Sequence, residues 1–594
     1  MNADHLNPTT LASAQRHLVA KAIAEFAHER LLAPVLSGDG YLLTTPDRTA
    51  TYSFRARRLA LDHWALDEAS LSRTVAGEPA ELDVQAFVVE MSELLGIPEK
   101  LLPTYLEELA ATLASAAWKR HHHTASAAEL AGADYQDLEA AMTEGHPSFV
   151  ANNGRVGYGL DDFTAYAPET GSTVRLVWVA ARRQHTRLSL SELLTEETLY
   201  DAELGAATRA RFAATLAELG LDPADYLFLP LHPWQWTNKV AVTFAPDVAR
   251  RDLVLLGEGP DDYRAQQSIR TFFNVTAPGR SYVKTALAIQ NMGFLRGLSP
   301  RYMGPTPAIN DWVASVVSAD PTLQECGFGV LREHAAIGYT GDAFHSLEAS
   351  RGVRSPYQKM LAALWRESPS PRLGDGERLA TMASLLHRDA AGRSLVGALV
   401  ASSGVDAATW LRSYLRAYVR PVVHCLLAHD LAFMPHGENL VLVLRDGVPV
   451  RALMKDIGEE VAVMGDRPLP PDVERVRVKV TDEVKALALL TDVFDGFLRH
   501  LAAILDTDGV LPQDEFWAEV ARCVADHAAE HPALAPATAS YDLFREEFDH
   551  SCLNRLQLRN TLEMVDLTDQ AQSLLYAGTL VNPIAVHREA LSPG

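Results

Sequence analysis

Cysteine is scarce in this sequence. The 594 residues contain four cysteines, and none of them forms a CxxC pair: Cys326, Cys425, Cys523 and Cys552. The spacing argues against a zinc ribbon and against a thioredoxin-like redox motif. Isolated cysteines of this kind are typical of reduced thiols, so we expect a cytosolic protein.

Long apolar runs are also missing. No run approaches the roughly 18 apolar residues that a membrane span needs. The first residues, MNADHLNPTTLASAQRHLVAK, carry charges where a signal peptide would have an apolar core. We therefore expect no membrane segment and a cytoplasmic location.

Several common nucleotide and hydrolase motifs are absent. The sequence has no GxxxxGK[ST], no GxGxxG followed by an acid at dinucleotide-binding spacing, no GxSxG and no HExxH. Positive charge is also in deficit, because 53 Lys and Arg face 76 Asp and Glu, for a net charge of −23. A nucleic-acid partner would require a basic surface, so we expect none.

Apolar periodicity predicts a mostly helical first region. One helix is predicted to be capped by Thr9 or Thr10 and to end near Leu32, and two more cover residues 82–96 and 100–118. A strand pair, YLLTT and TYSFRA, interrupts them.

The predicted secondary structure changes twice further along the chain. Strands are predicted at 174–181, 226–231, 240–244, 271–276 and 281–287. Helices then return over 408–430, with a break at Pro421, and over 484–506. We predict an α+β protein divided into three parts, 1–140, 141–315 and 316–594.

The stretch from Tyr263 to Arg301 contains no Asp or Glu in 39 residues, whereas about five would be expected at the frequency of the whole chain. It contains six basic residues, Arg264, Arg270, Arg280, Lys284, Arg296 and Arg301, and hydroxyls that include Ser268 and Thr271. Guanidinium, ammonium and hydroxyl groups are what a polyphosphate or carboxylate needs. Scattered surface charges that pair with acids elsewhere are the alternative interpretation.

Histidines occur in several distinctive contexts. His146 lies between a Gly and a Pro in GHPSFVANNGRVGYG, which by itself suits a structural turn as well as a functional loop. The run His121–His123 is predicted to be exposed, because consecutive side chains point in different directions. His424 and His429 on a predicted helix, and the aromatic LHPWQW at 231–236, are interpreted as packing residues.

Residues 433–462, FMPHGENLVLVLRDGVPVRALMKDIGEEVA, predict a β-hairpin with polar residues at its open end. If Asp446-Gly447 forms a type I′ turn, Arg445 pairs with Val448. Asn439 then faces Met454, and Asn439 and Asp456 become diagonal neighbours about 5 to 7 Å apart at Cβ. An amide oxygen and a carboxylate at that spacing suit Mg²⁺. Polar residues also simply end strands, and a one-residue slip would remove the geometry.

Together these motifs resemble the NRPS-independent siderophore synthetases, the IucA/IucC-like ligases, over nearly the whole chain. The matching segments are GHPSFVANNGRVGYG, LHPWQW, SIRT, YVKTALAIQNMGFLRG, SPRYMGPTPAINDWV, HGENL and KDIGEE. Within the family, ANNGRVGYG, NMGFLRG and AGTLVNPIA are most similar to the desferrioxamine synthetases of actinomycetes. One difference is that Met292 and Gly293 stand where many members have Thr-Asn.

The resemblance implies a fold like a cupped hand, with a helical thumb (1–140), β-rich fingers (141–315) and a helical palm (316–594), and ATP between fingers and palm. It implies phosphate contacts from His146 and from the positions that match the basic motifs: Ser268, Arg270, Thr271, Lys284 and Arg296. It also implies a nucleotide and Mg²⁺ group formed by His436, Glu438, Asn439 and Asp456, with Glu438, Asn439 and Asp456 as the metal ligands. His146, Arg270, Lys284 and Arg296 would be the catalytic residues.

The resemblance further implies ATP-dependent adenylation of a carboxylate, followed by amide formation with a primary amine. The implied substrate is N-hydroxy-N-succinylcadaverine, condensed repeatedly to a desferrioxamine trimer and its macrocycle by a homodimer. Arg301, Arg555 and Arg559 are candidate substrate-binding residues. Asp456→Ala is expected to abolish turnover and leave the fold intact.

Three alternatives stay open at this point. The first is a synthetase of the same family that acts on citrate or another dicarboxylate. The second is a kinase-like phosphotransferase, because HGEN followed by an Asp resembles a kinase catalytic loop, although a kinase-like glycine loop is missing. The third is a non-catalytic anion-binding scaffold, which would keep the basic stretch without the metal group.

Overall fold

The structure is a computed structural model that describes residues 3–559 and 575–588. Its first region combines three long helices, Pro8–His28, Val84–Leu95 and Leu102–His122, with an antiparallel sheet of five strands. The strands are Val35–Ser37, Gly40–Thr44, Ala50–Leu59, His63–Val75 and Glu78–Ala80. The predicted strand pair is confirmed as the second and third of these. The charged strand His63–Val75 was missed because much of its surface faces solvent and carries little apolar signal.

The first helix begins earlier than predicted. Asn7 is its cap, because the Asn7 side-chain oxygen accepts the backbone N–H groups of Thr9 and Thr10, each at 3.1 Å. Pro8 fits the first helical position because it has no N–H to leave unpaired. The predicted caps Thr9 and Thr10 therefore lie inside the helix, which ends at His28 and not near Leu32.

Two sheets form the β-rich middle. A sheet of three strands has the order Leu253–Glu258, Val177–Arg182, Tyr226–Leu231. A sheet of seven strands has the order Thr173–Val174, Tyr263–Ala265, Thr271–Asn274, Tyr282–Thr285, Ala362–Arg366, Glu333–Tyr339, Thr186–Leu190. The last sheet takes two strands from beyond residue 316. The three-part division at 141 and 316 stays a prediction.

The strand predicted at 240–244 is wrong. Residues Trp236–Val240 form a π-helix and Ala241–Thr243 continue as helix. Val240 and Phe244 are almost fully buried, whereas Val242 is 71% exposed. Apolar residues four apart lie on one face of a helix, so the alternation in VAVTF fitted either structure and the short run was assigned to the wrong one.

Helices dominate the rest of the chain. The predicted helix over 408–430 is confirmed as two helices, Ala407–Ala417 and Val419–His429, which meet at Tyr418. Pro421 lies in the first turn of the second helix, where a missing N–H costs little. The predicted helix over 484–506 is confirmed as Asp482–Leu489, a π-helical stretch Leu490–Leu498 and Arg499–Thr507.

The remaining long helices are Glu196–Glu218, Thr306–Ala319, Ala343–Arg351, Leu395–Ser403 and Gln513–Glu530. Shorter helices are Ala127–Leu130, Tyr135–Ala141, Leu160–Tyr166, Ala245–Ala249, Pro300–Met303, Pro321–Glu325, Ala535–Tyr541 and Leu553–Leu558. A sheet of four strands, Gly329–Val330, Val448–Met454, Leu440–Arg445 and Glu377–Thr381, crosses this helical region. Alternate residues of the predicted hairpin pack into two apolar clusters, the larger of which also contains the surrounding helices.

Candidate active site

The hairpin Leu440–Arg445 and Val448–Met454 has the predicted turn but not the predicted register. Asp446 and Gly447 have φ of 52° and 78°, as a type I′ turn requires, and Arg445 pairs with Val448. The register then shifts by one residue, so that Leu440 faces Met454. The extra residue follows Pro449, which has no N–H for the ladder and is typical of bulges. The predicted diagonal pair of Asn439 and Asp456 is therefore wrong.

Asp456 is instead held by two basic side chains. Its Oδ1 accepts a hydrogen bond from Lys284 Nζ at 2.8 Å and another from the Arg366 guanidinium. Lys284 Nζ also donates to Glu459 Oε2 at 2.6 Å. Asp456 has φ of 59°, a left-handed turn that ends the strand and aims KDIGEE at the seven-stranded sheet. The acid-free stretch and the hairpin thus meet directly.

Asn439 contacts the same acidic segment at another point. Its Nδ2 donates to the Met434 carbonyl at 3.0 Å and to the carboxylate of Glu460. His436 Nε2 lies 4.0 Å from Glu460 Oε2. Asn439 and Asp456 consequently belong to one cluster through different neighbours, and their predicted role as shared metal ligands stays a prediction.

A strained loop presents Ser268 and Arg270. It joins the strands Tyr263–Ala265 and Thr271–Asn274, and Ile269 at its tip has φ of 60°. A β-branched residue in this region is an outlier that surrounding structure must hold. Ile269 is fully buried in a small apolar cluster with Trp234, Leu287 and Ile289, which supplies that support. The side chains on either side of it therefore have fixed directions.

Arg270 reaches the acidic segment, with Nη2 3.7 Å from Glu459 Oε2, and donates to the Gly297 carbonyl. Thr271 lies opposite Lys284 in the antiparallel pairing of their strands. Burial, and then the charge of Arg270, lowers the pKa of Arg296 to about 10, while Glu438 opposes the shift. Arg270, Arg296 and Glu438 are therefore close enough to act on one another electrostatically.

His146 and His436 face each other with ring centroids 5.6 Å apart. Burial lowers the pKa of both imidazoles, that of His146 well below its ordinary value, and neighbouring positive groups add to the effect on His146. Both rings are consequently neutral at neutral pH. A neutral ring offers one N–H donor and one acceptor.

The carboxylates of the cluster titrate in opposite directions. Burial would raise the pKa of Asp456, but Arg366 and Lys284 outweigh burial and hold that pKa far below its usual range. Burial, and then the charge of Asp456, raises the pKa of Glu460 well above its ordinary value. Neighbouring carboxyl groups with opposite shifts are typical of functional sites.

Several polar atoms around this cluster are buried without a hydrogen-bond partner among the described residues. They are His146 Nδ1, Ser268 Oγ, Arg270 Nε, Thr285 Oγ1, and Nε and Nη2 of Arg296. Buried polar groups are normally paired, so a concentration of unpaired donors indicates a ligand. A phosphate chain would satisfy them, and the carboxylate and amide oxygens beside them are suitable Mg²⁺ ligands.

Comparisons with known proteins find relatives over nearly the whole chain. Residues 134–387 match the model of the IucA/IucC family, and residues 408–566 match a model described as a ferric iron reductase FhuF-like transporter. The putrebactin synthase of Shewanella sp. (strain MR-4) is 46% identical over 592 residues, which cover 99% of this chain and 93% of the relative. The chain belongs to the IucA/IucC family.

Solved structures of the IucA/IucC family have the same fold. The aerobactin synthetase IucC from Klebsiella pneumoniae aligns with a TM-score of 0.84 and 30% identity, covering 98% of this chain and all of that one. The ATP-bound aerobactin synthetase IucA from the same organism aligns with a TM-score of 0.74 and 16% identity, covering 96% and 99% of the two chains. No helix within residues 3–559 and 575–588 has the length and hydropathy to cross a membrane.

The contacts that the structure shows for the predicted substrate-binding arginines Arg301 and Arg555 are with residues outside the cluster described above. The Arg301 side chain is 78% exposed, with Nη1 3.6 Å from Glu348 Oε1. Arg555 donates from Nη2 to the Glu29 carbonyl at 2.8 Å. Arg559 is exposed at the end of the first described range. Their role in this IucA/IucC member stays a prediction.

Sequence reasoning missed Arg366 and undervalued Glu459 and Glu460. Arg366 is 1% exposed and joins Asp456 to Glu333, whose Oε1 lies 3.1 Å from Arg366 Nη2. No local pattern distinguishes Arg366, because only the pairing of its strand with Tyr282–Thr285 brings it to the site. Glu459 and Glu460 belong to the motif KDIGEE, and their position three and four residues after Asp456 in the sequence could have indicated that they join the same site.

Other sequence predictions concern residues outside the cluster. His121 and His122 are exposed, as predicted, whereas His123 is half-buried and its Nε2 lies 2.9 Å from the Glu169 carbonyl. Trp234 of LHPWQW packs in an apolar cluster, which confirms the packing interpretation for that residue. All four cysteines lie in the described ranges and are free thiols.

Glu108, on the helix Leu102–His122, is a further buried acid beside the site. Its Oε1 accepts the backbone N–H of Gly293 at 2.6 Å, in the segment where this chain has Met292-Gly293. Burial raises the pKa of Glu108 to about 7, against the effect of that hydrogen bond. The folded state therefore holds a proton that the unfolded chain releases near pH 4.

We expect Glu108→Gln to make stability less dependent on pH. With a raised folded pKa, the stabilising contribution of the wild-type carboxyl is complete in acid and is lost as the pH rises through about 7. Urea unfolding should show the variant more stable than wild type by about 1 to 3 kcal/mol near pH 8, with a smaller difference near pH 5.5. The exposed neighbour Glu107→Gln is the control. Equal differences at both pH values would contradict the assignment.

Proposed function

We propose that this protein is an ATP-dependent ligase of siderophore synthesis, which joins a carboxylate to a primary amine and releases AMP and pyrophosphate. The observation that carries the proposal is the set of unpaired buried donors beside the acidic segment KDIGEE. Two relatives reported above are named as synthases of the siderophores putrebactin and aerobactin. A structure of the same fold was solved with ATP bound, which supports the nucleotide.

The proposed nucleotide lies between the strained loop and the hairpin, where fingers meet palm. Ser268, Arg270, Thr271, Lys284 and Arg296 would contact its phosphates. Lys284 then exchanges the carboxylates of Asp456 and Glu459 for phosphate oxygens. The Asp456 carboxylate, no longer bonded to Lys284 but still held by Arg366, would hold Mg²⁺ together with Glu438 and Asn439, and the ion would neutralise phosphate charge when bound.

Two steps follow from this placement. A carboxylate oxygen of the substrate attacks the α-phosphorus, the bond to the β-phosphate oxygen breaks, and pyrophosphate leaves. The nitrogen of a neutral amine then attacks the acyl carbon, the bond between that carbon and the phosphate oxygen breaks, AMP leaves with the electron pair, and the proton of the nitrogen passes to water. Arg270 and Arg296 stabilise the charge that develops on phosphorus-bound oxygens. His146 is neutral, so its contribution at the α-phosphate is a hydrogen bond and not a second cation.

The proposed substrate is N-hydroxy-N-succinylcadaverine, whose carboxylate and primary amine allow repeated condensation to a desferrioxamine trimer and ring closure. Arg301, Arg555 and Arg559 are proposed to bind substrate groups. The exposed side chain of Arg301 can turn toward a bound ligand at little energetic cost, because its ion pair with Glu348 is long and solvated. The thumb, fingers and palm division is retained as part of this proposal.

Product analysis tests the proposal. The full-length protein is incubated with ATP, Mg²⁺ and one carboxylate at a time: succinyl-hydroxamate amines of different chain length, citrate and other dicarboxylates. We expect AMP and pyrophosphate in equal amounts, with turnover only when a succinyl-hydroxamate amine is present. ADP as product would contradict the ligase. Turnover with citrate alone would contradict the desferrioxamine substrate and keep the ligase chemistry.

A further inference from the structure

A second group of histidines lies in the helical region, away from the proposed nucleotide site. One ring nitrogen from each of His424, His527 and His531 lies within 4.8 Å of the others. His424 belongs to the helix Val419–His429, while His527 is in the last turn of the helix Gln513–Glu530 and His531 caps it. Histidines four residues apart lie on one helix face, the spacing that metal sites use.

The contacts inside this group suit a metal ion. His424 Nδ1 and His527 Nε2 are 2.9 Å apart, and nitrogen ligands of a tetrahedral Zn²⁺ lie about 3.3 Å from one another. The two nitrogens can therefore accept an ion between them after shifts of a few tenths of an ångström. His527 is fully buried, and its Nδ1 and the Nε2 of His531 have no hydrogen-bond partner among the described residues.

A carboxylate already orients the central ligand. Asp320 Oδ2 lies 3.1 Å from His424 Nε2 and 2.9 Å from His429 Nε2. An N–H at Nε2 that donates to Asp320 leaves the lone pair of His424 at Nδ1, on the side of His527. Metal-bound histidines usually have such a carboxylate on their other nitrogen. Asp320 also adds negative charge beside the cluster.

The surroundings favour a cation here over the two histidine clusters that contain Glu25 and Asp495. His527 and His531 stand at the negative end of a helix dipole. The nearby Arg420 is neutralised by an ion pair with Glu530. By contrast, the clusters Glu25–His63–His500 and His28–Asp495–His550 both contact Arg499, which already supplies a buried positive charge. A metal ion would be repelled there.

We propose that His424, His527 and His531 form a binding site for a divalent transition metal ion, with Zn²⁺ as the best match to three imidazoles. Asp320 is the carboxylate that orients His424, and the half-buried His531 is the open side for entry. The ion would connect the ends of the helices Val419–His429 and Gln513–Glu530. His436, just before the hairpin, follows the end of the first helix by seven residues. The ion would therefore help to hold in place the segment that leads into the hairpin.

Metal analysis of the full-length protein tests the site. The chelator-treated protein is saturated with ZnCl₂, freed of excess metal, and its zinc content is measured. We expect one equivalent in the wild type, its loss in His527→Gln and His531→Gln, and its retention in His429→Gln and His28→Gln. Co²⁺ in place of zinc should give the visible absorption of a tetrahedral site in the wild type and in the variants that retain zinc, and not in the variants that lose it.

Thermal unfolding separates metal loss from misfolding. Zinc should raise the midpoint temperature of unfolding of the wild type and of His429→Gln above that of the chelator-treated proteins. The midpoint of His531→Gln should be the same with zinc as with chelator. His531 ends its helix and is half-buried, so glutamine there is tolerated in the metal-free fold. Absence of bound zinc in the wild type would overturn the proposal. Retention in His531→Gln together with loss in His429→Gln would also overturn it, by placing the ion against Asp320 and His429.

Discussion

Replacing Arg296 by methionine should slow adenylation by about 100- to 1,000-fold without destabilising the fold. Nε and Nη2 of Arg296 are buried without a hydrogen-bond partner among the described residues, and Arg270 adds repulsion. Nearby acids, Glu438 among them, offset burial and this repulsion only in part, so removal of the charge leaves the free energy of unfolding unchanged or raises it. Arg296 is thus expected to stabilise bound phosphate groups and to contribute nothing to the free energy of unfolding.

The measurements are carboxylate-dependent exchange of pyrophosphate into ATP and urea unfolding. Arg264→Met is the matched control, because Arg264 lies in the same acid-free stretch and pairs with Asp137, which is 62% exposed. A surface pair of this kind contributes about 0 to 1 kcal/mol, so the control should retain exchange activity. Unchanged exchange in Arg296→Met would remove Arg296 from the phosphate site. A large loss of stability would mean that Arg296 has a structural partner.

Replacing Asp456 by alanine should abolish turnover and also destabilise the protein by about 3 to 5 kcal/mol. The structure changes the sequence-based expectation of an intact fold, because Asp456 accepts hydrogen bonds from both Lys284 and Arg366. Removing the carboxylate leaves buried positive charge with fewer partners. Asp137→Ala, at the exposed end of the Arg264 pair, is the control and should stay within about 1 kcal/mol of wild type.

The effect of Asp456→Ala should depend on pH. The pKa of Asp456 is depressed by Arg366 and Lys284 against the effect of burial. Its contribution to stability is therefore present above the unfolded pKa of about 4 and is lost as the pH falls toward the folded value. Urea unfolding should give the largest difference between variant and wild type near neutral pH and a smaller one in acid. A difference that grows in acid would contradict the ion pairs.

Local patterns were sufficient for features that depend on a few neighbouring residues. The Asp446-Gly447 turn followed from the conformations that glycine and aspartate tolerate, and the Pro421 break from the missing N–H of proline. The acid-free stretch identified Arg270 and Lys284, both of which contact the acidic segment. These inferences required no knowledge of distant packing.

Features set by distant packing were not predictable in the same way. The register of the hairpin depended on one bulged residue after Pro449, which no alternation pattern reveals. Residues 240–244 became helical because Val240 and Phe244 share a core with other elements. Arg366 reached the site only through the pairing of strands about eighty residues apart along the chain, and the positive φ of Ile269 depends on the cluster around it.

The ion pairs of Lys284 with Asp456 and Glu459 already occupy the ammonium group of the site. Its lysine is already saturated by the protein's own anions, so a lone small anion must displace two carboxylates to gain one partner. A polyphosphate that binds together with a divalent cation would supply both partners: its oxygens would replace the carboxylates at Lys284, and the cation would replace Lys284 at the carboxylates. Under the proposed function, the site would thereby favour the metal–nucleotide pair over free phosphate, because neither half alone would replace the partners of both the lysine and the carboxylates.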